Sequence, residues 1–547
     1  MAASSPLIQF LKWEKEIPDE IFLNQPFEGR WKTWTWAGAG MECRKMAHAL
    51  QVAGLPKGSH VAILSKNCAH WIMADLAIMM AGCVSIPIYP SLSAAAIKPI
   101  LEHSDAKAIF VGKLDHFDNQ KAGIPEHVIT ISTEAYGIHE KLTWENSVNN
   151  PEPVKDVYEW RPEEIMTIIY TSGTTGNAKG VMHAVSAVDV VMNIVIPELN
   201  LQPQLQLFSY LPLSHIAERL AVEMVGIYCG CTISFAESLS TFAANLATIQ
   251  PHAFVAVPHI WAKFQQGILK NISQTKLNLL LGIPFLKTII KKSIQKKMGL
   301  SRASIILCGA APISVELLVW FQKLDIKILV AYGMTEDCVY NHLETSKLNR
   351  LGSVGKALPG LLCKISEEGE IRVKSEGNMK GYYKEPQLTA EAFDEEGYLK
   401  TGDMGEYDSD GFLFITGRVK DMFKTNKGKY ISPSPIEIKL SSNTDIEQVC
   451  VVGMGIPQPI ALINLSETGK LKTQAEIKES LLATLEDINP LLENFERLEK
   501  MIIMKDTWTI ENGLMTPSLK IKRNLVEKEL NAYYPKWFNE TEKVLWE

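Results

Sequence analysis

The sequence predicts a mixed α/β (α+β) fold, with a large N-terminal domain of layered sheets and a small, mobile α/β C-terminal domain. Short apolar runs alternate with helical patterns along most of the 547 residues, as in proteins that pack helices against mixed or parallel sheets. Near Glu367 the pattern changes to short strands between glycine-containing turns. A chain of this length exceeds one ordinary core, so two or more domains are expected.

Apolar runs rich in β-branched residues mark the N-terminal strands. We predict strands at residues 61–64, 86–89, 108–111, 128–131, 165–170, 305–307 and 326–331. Helical patterns lie at 71–80 and 315–322, and an extended helical stretch occupies 262–300. The runs alternate with these helical segments, which favours parallel strands joined by helical crossovers.

The domain division follows from these shifts in pattern. Residues 1–418 are predicted to form the N-terminal domain, with a β-rich subdomain at about 360–416. The α/β pattern then returns, with a strand at 449–452 and a helix at 474–485. Residues 419–547 are therefore predicted to form the C-terminal domain.

Composition restricts the class of protein. Hydrophobic residues make up 46% and charged residues 21% of the chain, as in folded soluble proteins. A net charge of -7 argues against nucleic acid as a partner. The nine cysteines lack the paired spacing of zinc sites, and we find no secretory signal and no apolar run of about 18 residues. We therefore expect a reduced cytoplasmic protein without a spanning helix.

Residues 238–315 contain nine lysines and arginines and no acidic residue. Helical periodicity places Lys287, Lys291 and Lys292 on one half of a helix. The other half is apolar and carries Phe285, Leu286, Ile289, Ile290 and Ile294. Two interpretations stay open: peripheral membrane contact through residues 276–297, or a core-packed helix with a solvated lysine face.

The strongest local motif is a turn rich in glycine and hydroxyl residues. Residues 170–181 read Tyr-Thr-Ser-Gly-Thr-Thr-Gly-Asn-Ala-Lys-Gly-Val. Gly173 and Gly176 let the backbone expose its N–H groups, and Lys179 adds a positive charge, so the loop suits polyphosphate binding. The Walker A pattern cannot be laid onto it. Taken alone, a turn of this composition is more often a plain loop.

Six further motifs follow the loop along the chain. They occupy residues 211–219 (Leu-Pro-Leu-Ser-His-Ile-Ala-Glu-Arg), 309–312 (Gly-Ala-Ala-Pro), 332–336 (Tyr-Gly-Met-Thr-Glu), 398–403 (Tyr-Leu-Lys-Thr-Gly-Asp), 417–421 (Gly-Arg-Val-Lys-Asp) and 516–523 (Thr-Pro-Ser-Leu-Lys-Ile-Lys-Arg). In this order they resemble the motifs of the adenylate-forming (AMP-binding) superfamily of acyl-CoA synthetases, aryl-CoA ligases, luciferases and peptide-synthetase adenylation domains. The resemblance spans residues 170–523, most of the chain.

The resemblance implies a reaction in two steps. A carboxylate attacks the α-phosphate of ATP to give acyl-AMP and pyrophosphate, and a thiol, usually of coenzyme A, then attacks the mixed anhydride. Two anions meet in the first step, so the site must supply positive charge and Mg²⁺. By resemblance, Glu336 and Thr171 would hold Mg²⁺, and Thr335 would contact the α-phosphate.

The resemblance also implies which residues bind nucleotide. Asp403 would accept the ribose hydroxyls, as an ionised carboxylate can, and Arg418 would reach the ribose. Lys420 and Lys424 match lysines that contact nucleotide in long-chain members. Lys420 also matches the superfamily hinge, which implies that the C-terminal domain rotates near Lys420 between the two steps. The residues expected around the phosphates are Thr171, Ser172, Gly173, Thr174, Thr175, Gly176 and Lys179. Those expected around the adenine are Gly309, Ala310, Ala311, Tyr332 and Gly333.

Two further residues are expected at the reacting centre. Lys520 matches the C-terminal lysine of the superfamily, which implies a catalytic role in adenylation through the substrate carboxylate and the phosphate oxygens. In isolation, Lys520, Lys522 and Arg523 would read as one solvated basic turn. His215 would line the acyl site and gate access to the nucleotide, and Glu218 and Arg219 would form a local pair.

Several motifs resemble the long-chain fatty acyl branch, including the bubblegum type, which implies a long-chain fatty acid as substrate. They are residues 211–219, 257–264, 424–437 and 509–517. Segments 222–228 and 254–264 could line an acyl tunnel or belong to the core. Lys427 stands where the superfamily usually has glycine, and it could narrow the path of pantetheine or attract the anionic part of coenzyme A. Three alternatives stay open for the whole chain: a coenzyme A ligase, an enzyme that stops at acyl-AMP or uses an acyl-carrier protein, and an inactive acyl-adenylate binding protein. The oligomeric state also stays open, with a homodimer as one alternative.

Overall fold

The computed structural model describes residues 5–149, 152–172 and 178–547. Its largest sheet has eight strands within these ranges. Six of them pair with one another in parallel, and the other two are added at one edge through antiparallel pairing. In spatial order they are Gly381–Tyr382, Ala178–Ala184, Ile165–Ser172, Val84–Ile88, His60–Leu64, Ala108–Val111, Ile129–Ser132 and Leu142–Thr143. The predicted alternation of strands and helices is confirmed here.

Two smaller sheets belong to the same N-terminal part. One has the described strands Gln206–Ser209, Thr232–Phe235, Ile21–Phe27 and Arg30–Thr35 in that order. The other has the strands Ala253–Ala256, Ile305–Cys308, Leu329–Tyr332, His342–Leu343 and Lys356–Ala357, the first three parallel. The parallel strands end at one edge, and two of the sequence motifs begin there.

Helices cover these sheets. In the N-terminal part the described α-helices are Pro6–Glu16, Trp36–Val52, Ala69–Met80, Ala94–His103, Phe117–Lys121, Trp144–Asn149, Val185–Glu198, Ile216–Glu218, Val225–Cys229, Phe242–Ile249, Pro258–Asn271, Gln274–Gly282, Pro284–Lys297, Val315–Gln322 and Pro386–Ala392. A π-helical segment, Arg219–Met224, joins two of them. Ala69–Met80 is buried along its whole length, as an apolar helix between two layers must be.

The β-rich subdomain is an antiparallel sheet. Its described strands are Leu362–Ile365, Glu370–Lys374, Leu399–Tyr407 and Leu413–Arg418. The glycine-containing turns of the sequence lie between them, with positive φ at Gly369 and Gly411, a conformation that glycine adopts without steric cost. The last strand ends at Arg418, directly before the residues predicted to form the hinge.

The C-terminal part has its own cores. A hairpin of Phe423–Lys424 and Tyr430–Ile431 precedes a sheet with the described strands Ile446–Val452, Ile460–Leu465, Lys500–Ile503 and Val544–Trp546. Its helices are Pro433–Leu440, Glu467–Lys470, Gln474–Ile488, Arg523–Leu530 and Tyr534–Asn539. Two hydrophobic clusters draw all their members from residues 423–545. The boundary at 418/419 and the mobility of this part stay predictions.

One predicted strand begins later than expected. The run 326–331 forms a strand only from Leu329 to Tyr332. The chain first turns at Asp325, whose φ is 59°, and residues 326–328 run without a ladder partner although Ile326 and Ile328 are buried. The apolar run therefore predicted the buried residues correctly, but the strand begins three residues later than predicted.

The lysine-rich helix Pro284–Lys297 is oriented differently from the prediction. Ile290 and Ile294 pack against the core, but Phe285 and Ile289 from the same predicted apolar half face solvent. Lys291, predicted on the solvated half, is buried. Its Nζ lies 2.7 Å from Asp325 Oδ1, and this tertiary partner makes burial of the ammonium possible.

The described residues show no disulfide and no spanning helix. All nine cysteines are unpaired thiols. Within the described ranges, no helix is both long and apolar enough to cross a bilayer.

Candidate active site

The turn of residues 333–336 follows directly from the strand Leu329–Tyr332. At Gly333 an added Cβ would stand 2.6 Å from Val339 Cα, so only glycine permits this close approach of two backbones. Thr335 is buried, and its carbonyl lies 2.8 Å from Nε2 of the buried His183, which donates to it. Burial lowers the pKa of His183 to about 4, so the ring is neutral at pH 7.

Asp337 holds the other side of this turn. One of its carboxylate oxygens accepts from the Met334 N–H at 2.8 Å, and the other accepts from Asn341 Nδ2 at 2.7 Å. Burial raises the pKa of Asp337 to about 7. Neither His183 nor Asp337 was predicted. Asp337 adjoins the motif, whereas His183 is far away in sequence and no spacing pointed to it.

Glu336 faces a tyrosine and a lysine from the neighbouring sheet. Its Oε1 accepts from the Tyr382 hydroxyl at 3.0 Å. Lys179 Nζ lies 5.1 Å from the centre of the Tyr382 ring. Burial raises the pKa of Glu336, while Arg418 and Lys179 act in the opposite direction. The Gly-Tyr-Tyr run at 381–383 was a weak signal for Tyr382, which sequence reasoning missed.

The strands 165–172 and 178–184 flank the predicted phosphate loop. Thr171 pairs with Lys179 across this antiparallel ladder. Because Lys179 lies near Tyr382 and Tyr382 is hydrogen-bonded to Glu336, this ladder places Thr171 on the same side of the sheet edge as Glu336. Ser172 ends the first strand, but its side chain is not described. The predicted residues Gly173, Thr174, Thr175 and Gly176 lie outside the described residues.

Asp403 links the second sheet to the β-rich subdomain. One carboxylate oxygen accepts from the Tyr332 hydroxyl at 2.8 Å, and the other lies 2.6 Å from Arg418 Nε. Asp403 and Arg418 are paired across neighbouring antiparallel strands, which fixes this geometry through the backbone. Each carboxylate oxygen retains a second acceptor position, so two hydroxyl donors could still be bound.

Gly309, Ala310 and Ala311 follow the strand Ile305–Cys308, at the same sheet edge as Tyr332. Ala310 and Ala311 are exposed, and Ala310 has a φ of 64°. An added Cβ at Gly309 would stand 3.0 Å from Ala331 O. The structure therefore brings these small residues and the tyrosine ring to one edge, as the sequence predicted.

His215 caps the short helix Ile216–Glu218. Its Nδ1 accepts from the Ala217 N–H at 3.1 Å, and its ring meets Tyr89 edge-on at 6.5 Å. Burial, with a smaller contribution from Lys520, lowers the pKa of His215 to about 4. His215 is therefore a neutral ring, which fits a lining role better than proton transfer at neutral pH.

Lys520 reaches the cleft from the C-terminal part. Its turn is closed by two bonds to Thr516, at 2.8 Å from Thr516 N to Lys520 O and 3.0 Å from Lys520 N to Thr516 Oγ1. The Lys520 side chain is accessible to solvent. Desolvation and Arg418 lower its pKa, while Asp403, Glu336 and Asp421 oppose that shift. The catalytic role of Lys520 stays a prediction.

The C-terminal part also contacts the helix Pro258–Asn271. His259 Nε2 lies 3.5 Å from Glu447 Oε1, and Gln266 Nε2 lies 3.5 Å from Thr444 O. These contacts, with Lys520 facing the motifs of the N-terminal part, define the arrangement of the two parts in this structure.

Lys420 and Lys424 belong to the segment that directly follows Arg418. Lys420 is exposed in the 3₁₀ turn Val419–Asp421. Lys424 is also exposed, with Nζ 5.4 Å from the centre of the Tyr430 ring. Their predicted contact with nucleotide stays a prediction.

Glu218 and Arg219 do not form the predicted local pair. Glu218 Oε1 accepts from Ser209 Oγ and Tyr210 N, both at 2.9 Å. Consecutive helical residues point in different directions, so each carries its own set of contacts. Burial raises the pKa of Glu218 to about 8, which favours a neutral carboxyl at pH 7.

Arg219 belongs to a separate buried ionic cluster. Its Nη2 lies 2.6 Å from Asp75 Oδ2, its Nη1 donates to Thr167 Oγ1 at 2.6 Å, and its Nε lies 3.3 Å from Glu223 Oε2. Arg219 is 2% exposed, and both carboxylates are fully buried. The cluster ties the motif helix to the central buried helix and to the large sheet.

Comparison with known proteins identifies the family. The AMP-binding enzyme family matches residues 10–383, and the AMP-binding enzyme C-terminal domain matches residues 420–539. The first match alone covers more than half of the chain. The chain belongs to the AMP-binding enzyme family. It is an adenylate-forming ligase, and ATP and coenzyme A are cosubstrates of this family.

Curated relatives of this AMP-binding enzyme match nearly its whole length. Long-chain-fatty-acid–CoA ligase FadD15 of Mycobacterium bovis is 27% identical over 585 aligned residues, covering 96% of each chain. Long-chain-fatty-acid–CoA ligase ACSBG2 of Rattus norvegicus is 26% identical and covers 92% of this chain and 88% of its own. Long-chain-fatty-acid–CoA ligase 5 of Mus musculus is 28% identical, with 85% and 78% covered.

Solved structures share the fold of this AMP-binding enzyme. The adenylation domain of a carboxylate reductase from Mycobacterium chelonae has a TM-score of 0.81 at 19% identity, covering 99% of this chain and 92% of its own. The anthranilate CoA ligase AuaEII, in complex with anthranoyl-AMP, has a TM-score of 0.78 at 19% identity, with 97% and 98% covered. These likenesses confirm the predicted fold class.

The donors present fit Mg²⁺. Among the described residues, no group of three or more His, Cys, Asp or Glu side chains could hold a metal. Mg²⁺ in nucleotide sites is commonly bound by one or two carboxylates together with phosphates and waters. Glu336 is a buried carboxylate whose pKa is raised by burial, so a nearby cation would stabilise its charged form.

Proposed function

We propose that this enzyme activates a long-chain fatty acid as acyl-AMP and transfers the acyl group to coenzyme A. The observation that carries the adenylation step is Lys520, a cation from the C-terminal part that faces Glu336, Asp403 and Arg418 across the cleft. This arrangement suits a reaction in which a carboxylate and a phosphate must approach each other. The curated relatives named as long-chain-fatty-acid–CoA ligases support the choice of acid and acceptor.

In the adenylation step, Asp403 binds the ribose hydroxyls and Tyr332 with Gly309 bounds the adenine. Lys179 and Thr171 hold the β- and γ-phosphates. Glu336 and Thr171 would hold Mg²⁺, which would supply positive charge against the phosphate oxygens. These residues orient the nucleotide for attack by the acid.

Lys520 holds the substrate carboxylate beside the α-phosphate and stabilises the charge that moves onto the phosphate oxygens. Desolvation and Arg418 lower the pKa of Lys520, and we assign Lys520 the role of a cation that binds the two anions. Thr335 donates to the α-phosphate from a turn held by His183 and Asp337.

Lys427 favours a second candidate for the acceptor. It is exposed in the turn of the hairpin 423–431, where the resemblance calls for glycine. A long side chain there would obstruct the path of a pantetheine thiol along the backbone. An acyl-carrier protein, or no acceptor, is therefore the alternative to coenzyme A.

A panel of acids tests the proposed substrate class. With ATP, Mg²⁺ and coenzyme A, kcat/KM for thioester formation should rise with chain length from C6 to C16, because burial of each CH₂ contributes about 0.8 kcal/mol. Anthranilate and benzoate serve as the matched aromatic controls. A preference for aromatic over long-chain acids would contradict the substrate class while leaving adenylation intact.

A further inference from the structure

The helices Gln274–Gly282 and Pro284–Lys297 expose a row of large apolar side chains. We name this row the apolar ridge. It consists of Leu279 (68% exposed), Ile283 (41%), Phe285 (89%), Leu286 (38%) and Ile289 (62%). Exposed apolar residues are common singly, but a contiguous set on one edge indicates an interaction surface.

The direction of the ridge is fixed by the packing of the second helix. At about 100° per residue, positions i, i+4, i+7 and i+11 share one stripe. Phe285, Ile289, Lys292 and Lys296 occupy these positions and all four are exposed. The opposite side packs into the core and carries the buried Lys291, which pairs with Asp325. This packing keeps the ridge on the outside of the helix.

The charged side chains of the segment that carries the ridge all have one sign. Residues 238–315 contain nine lysines and arginines and no acidic residue, in a chain whose net charge is -7. Lys287, Lys292, Lys296 and Lys297 on the second helix are all exposed. The ridge is therefore an apolar edge bordered by ammonium groups on long flexible stems.

We propose that the apolar ridge and its lysines dock on an anionic lipid bilayer. The apolar side chains enter the boundary between headgroups and acyl chains, and the lysines contact lipid phosphates. The helices have 9 and 14 residues, fewer than the roughly 20 that span a bilayer, so they lie in the plane of the surface. A second copy of the ridge would oppose these cations with cations, which disfavours self-association through this surface.

Vesicle flotation tests this proposal with the full-length protein. We expect binding to vesicles of phosphatidylcholine mixed with phosphatidylglycerol, much weaker binding to phosphatidylcholine alone, and a steep loss at high salt because exposed charges are screened. The variant Lys287→Gln/Lys292→Gln/Lys296→Gln should bind about 100-fold more weakly, since each lysine near an anionic surface contributes about fivefold.

A second variant tests the apolar contribution separately. Phe285→Ser/Ile289→Ser should weaken binding at least about tenfold, because two large apolar side chains no longer enter the lipid. The matched control is Leu471→Ser/Leu491→Ser, which removes two exposed leucines (87% and 69%) from the C-terminal part and should bind like the unaltered protein. All variants should keep the same melting temperature and the same activity with soluble acids.

Three results would overturn the proposal. The first is that the unaltered protein floats with neither kind of vesicle, or equally with both at every salt concentration. The second is that both ridge variants bind like the control. The third is that Phe285→Ser/Ile289→Ser lowers the molecular mass in sedimentation velocity without changing flotation, which would make a second copy of the chain the occupant.

Discussion

Replacing Lys520 with alanine is expected to slow acyl-AMP formation by about three powers of ten. At about 4 Å and an effective dielectric of about 20, one charge pair contributes roughly 4 kcal/mol before desolvation, which corresponds to about a thousandfold in rate. Because Lys520 is accessible to water in the open cleft, this figure is an upper bound. The measurement is exchange of labelled pyrophosphate into ATP in the presence of palmitate.

Two controls separate catalysis from loss of structure. Lys522→Ala removes the same charge from the same turn and should change the exchange rate by less than about threefold, as expected for a solvated charge. Lys520→Ala should still form the thioester from synthetic acyl-AMP at nearly the normal rate. An equal loss of exchange in Lys522→Ala and Lys520→Ala would contradict the specific role of Lys520. The rate would then depend on the total positive charge of the turn.

Lys520 should also leave a signature in the pH profile. Its pKa is lowered by desolvation and by Arg418, so the ammonium is lost at a lower pH than in free lysine. Adenylation should therefore fall on the alkaline side, and Lys520→Arg should move that fall to higher pH because arginine stays charged.

Replacing Arg219 with alanine is expected to destabilise the N-terminal part by about 3–5 kcal/mol, because it leaves Asp75 and Glu223 buried without their cation. Both carboxylates are fully buried, and burial already raises the pKa of Glu223 well above its usual value. The melting temperature should fall by roughly 4–6 °C, because the entropy of unfolding of about 400 residues is about 0.85 kcal/mol/K. Calorimetry on the full-length protein measures this fall.

Arg350→Ala is the matched control for this change. Arg350 pairs with Asp408 and Asp410, but its side chain is 40% exposed, and an exposed pair contributes less than about 1 kcal/mol. Equal melting temperatures for the two variants would show that the buried cluster around Arg219 stabilises the protein no more than an exposed ion pair does.

The fold was largely predictable because local patterns and tertiary structure agree. The central parallel strands of the large sheet, such as His60–Leu64 and Ala108–Val111, are short apolar runs, and burial on both faces requires that composition. The disagreements come from tertiary partners. Asp325 makes the burial of Lys291 possible, and nothing in the helical periodicity of Pro284–Lys297 encodes that contact.

In the candidate site, too, motif residues could be predicted from the sequence and residues from distant strands could not. Lys520, Glu336 and Asp403 could be named because each stands in a motif of recognisable order. Tyr382 and His183 could not, because they reach the motif residues from other strands, and their hydrogen bonds to Glu336 and Thr335 exist only after the sheets have formed. Positioning residues of this kind have no fixed spacing from the residues that they hold.

The most direct test of the central claim is pyrophosphate release with ATP, Mg²⁺ and palmitate, measured with and without coenzyme A. We expect sustained release only when coenzyme A is present, with one palmitoyl-CoA formed for each pyrophosphate. A single burst that coenzyme A does not extend would contradict the proposed acceptor. No release with any acid from C6 to C20 would contradict the activation of fatty acids itself.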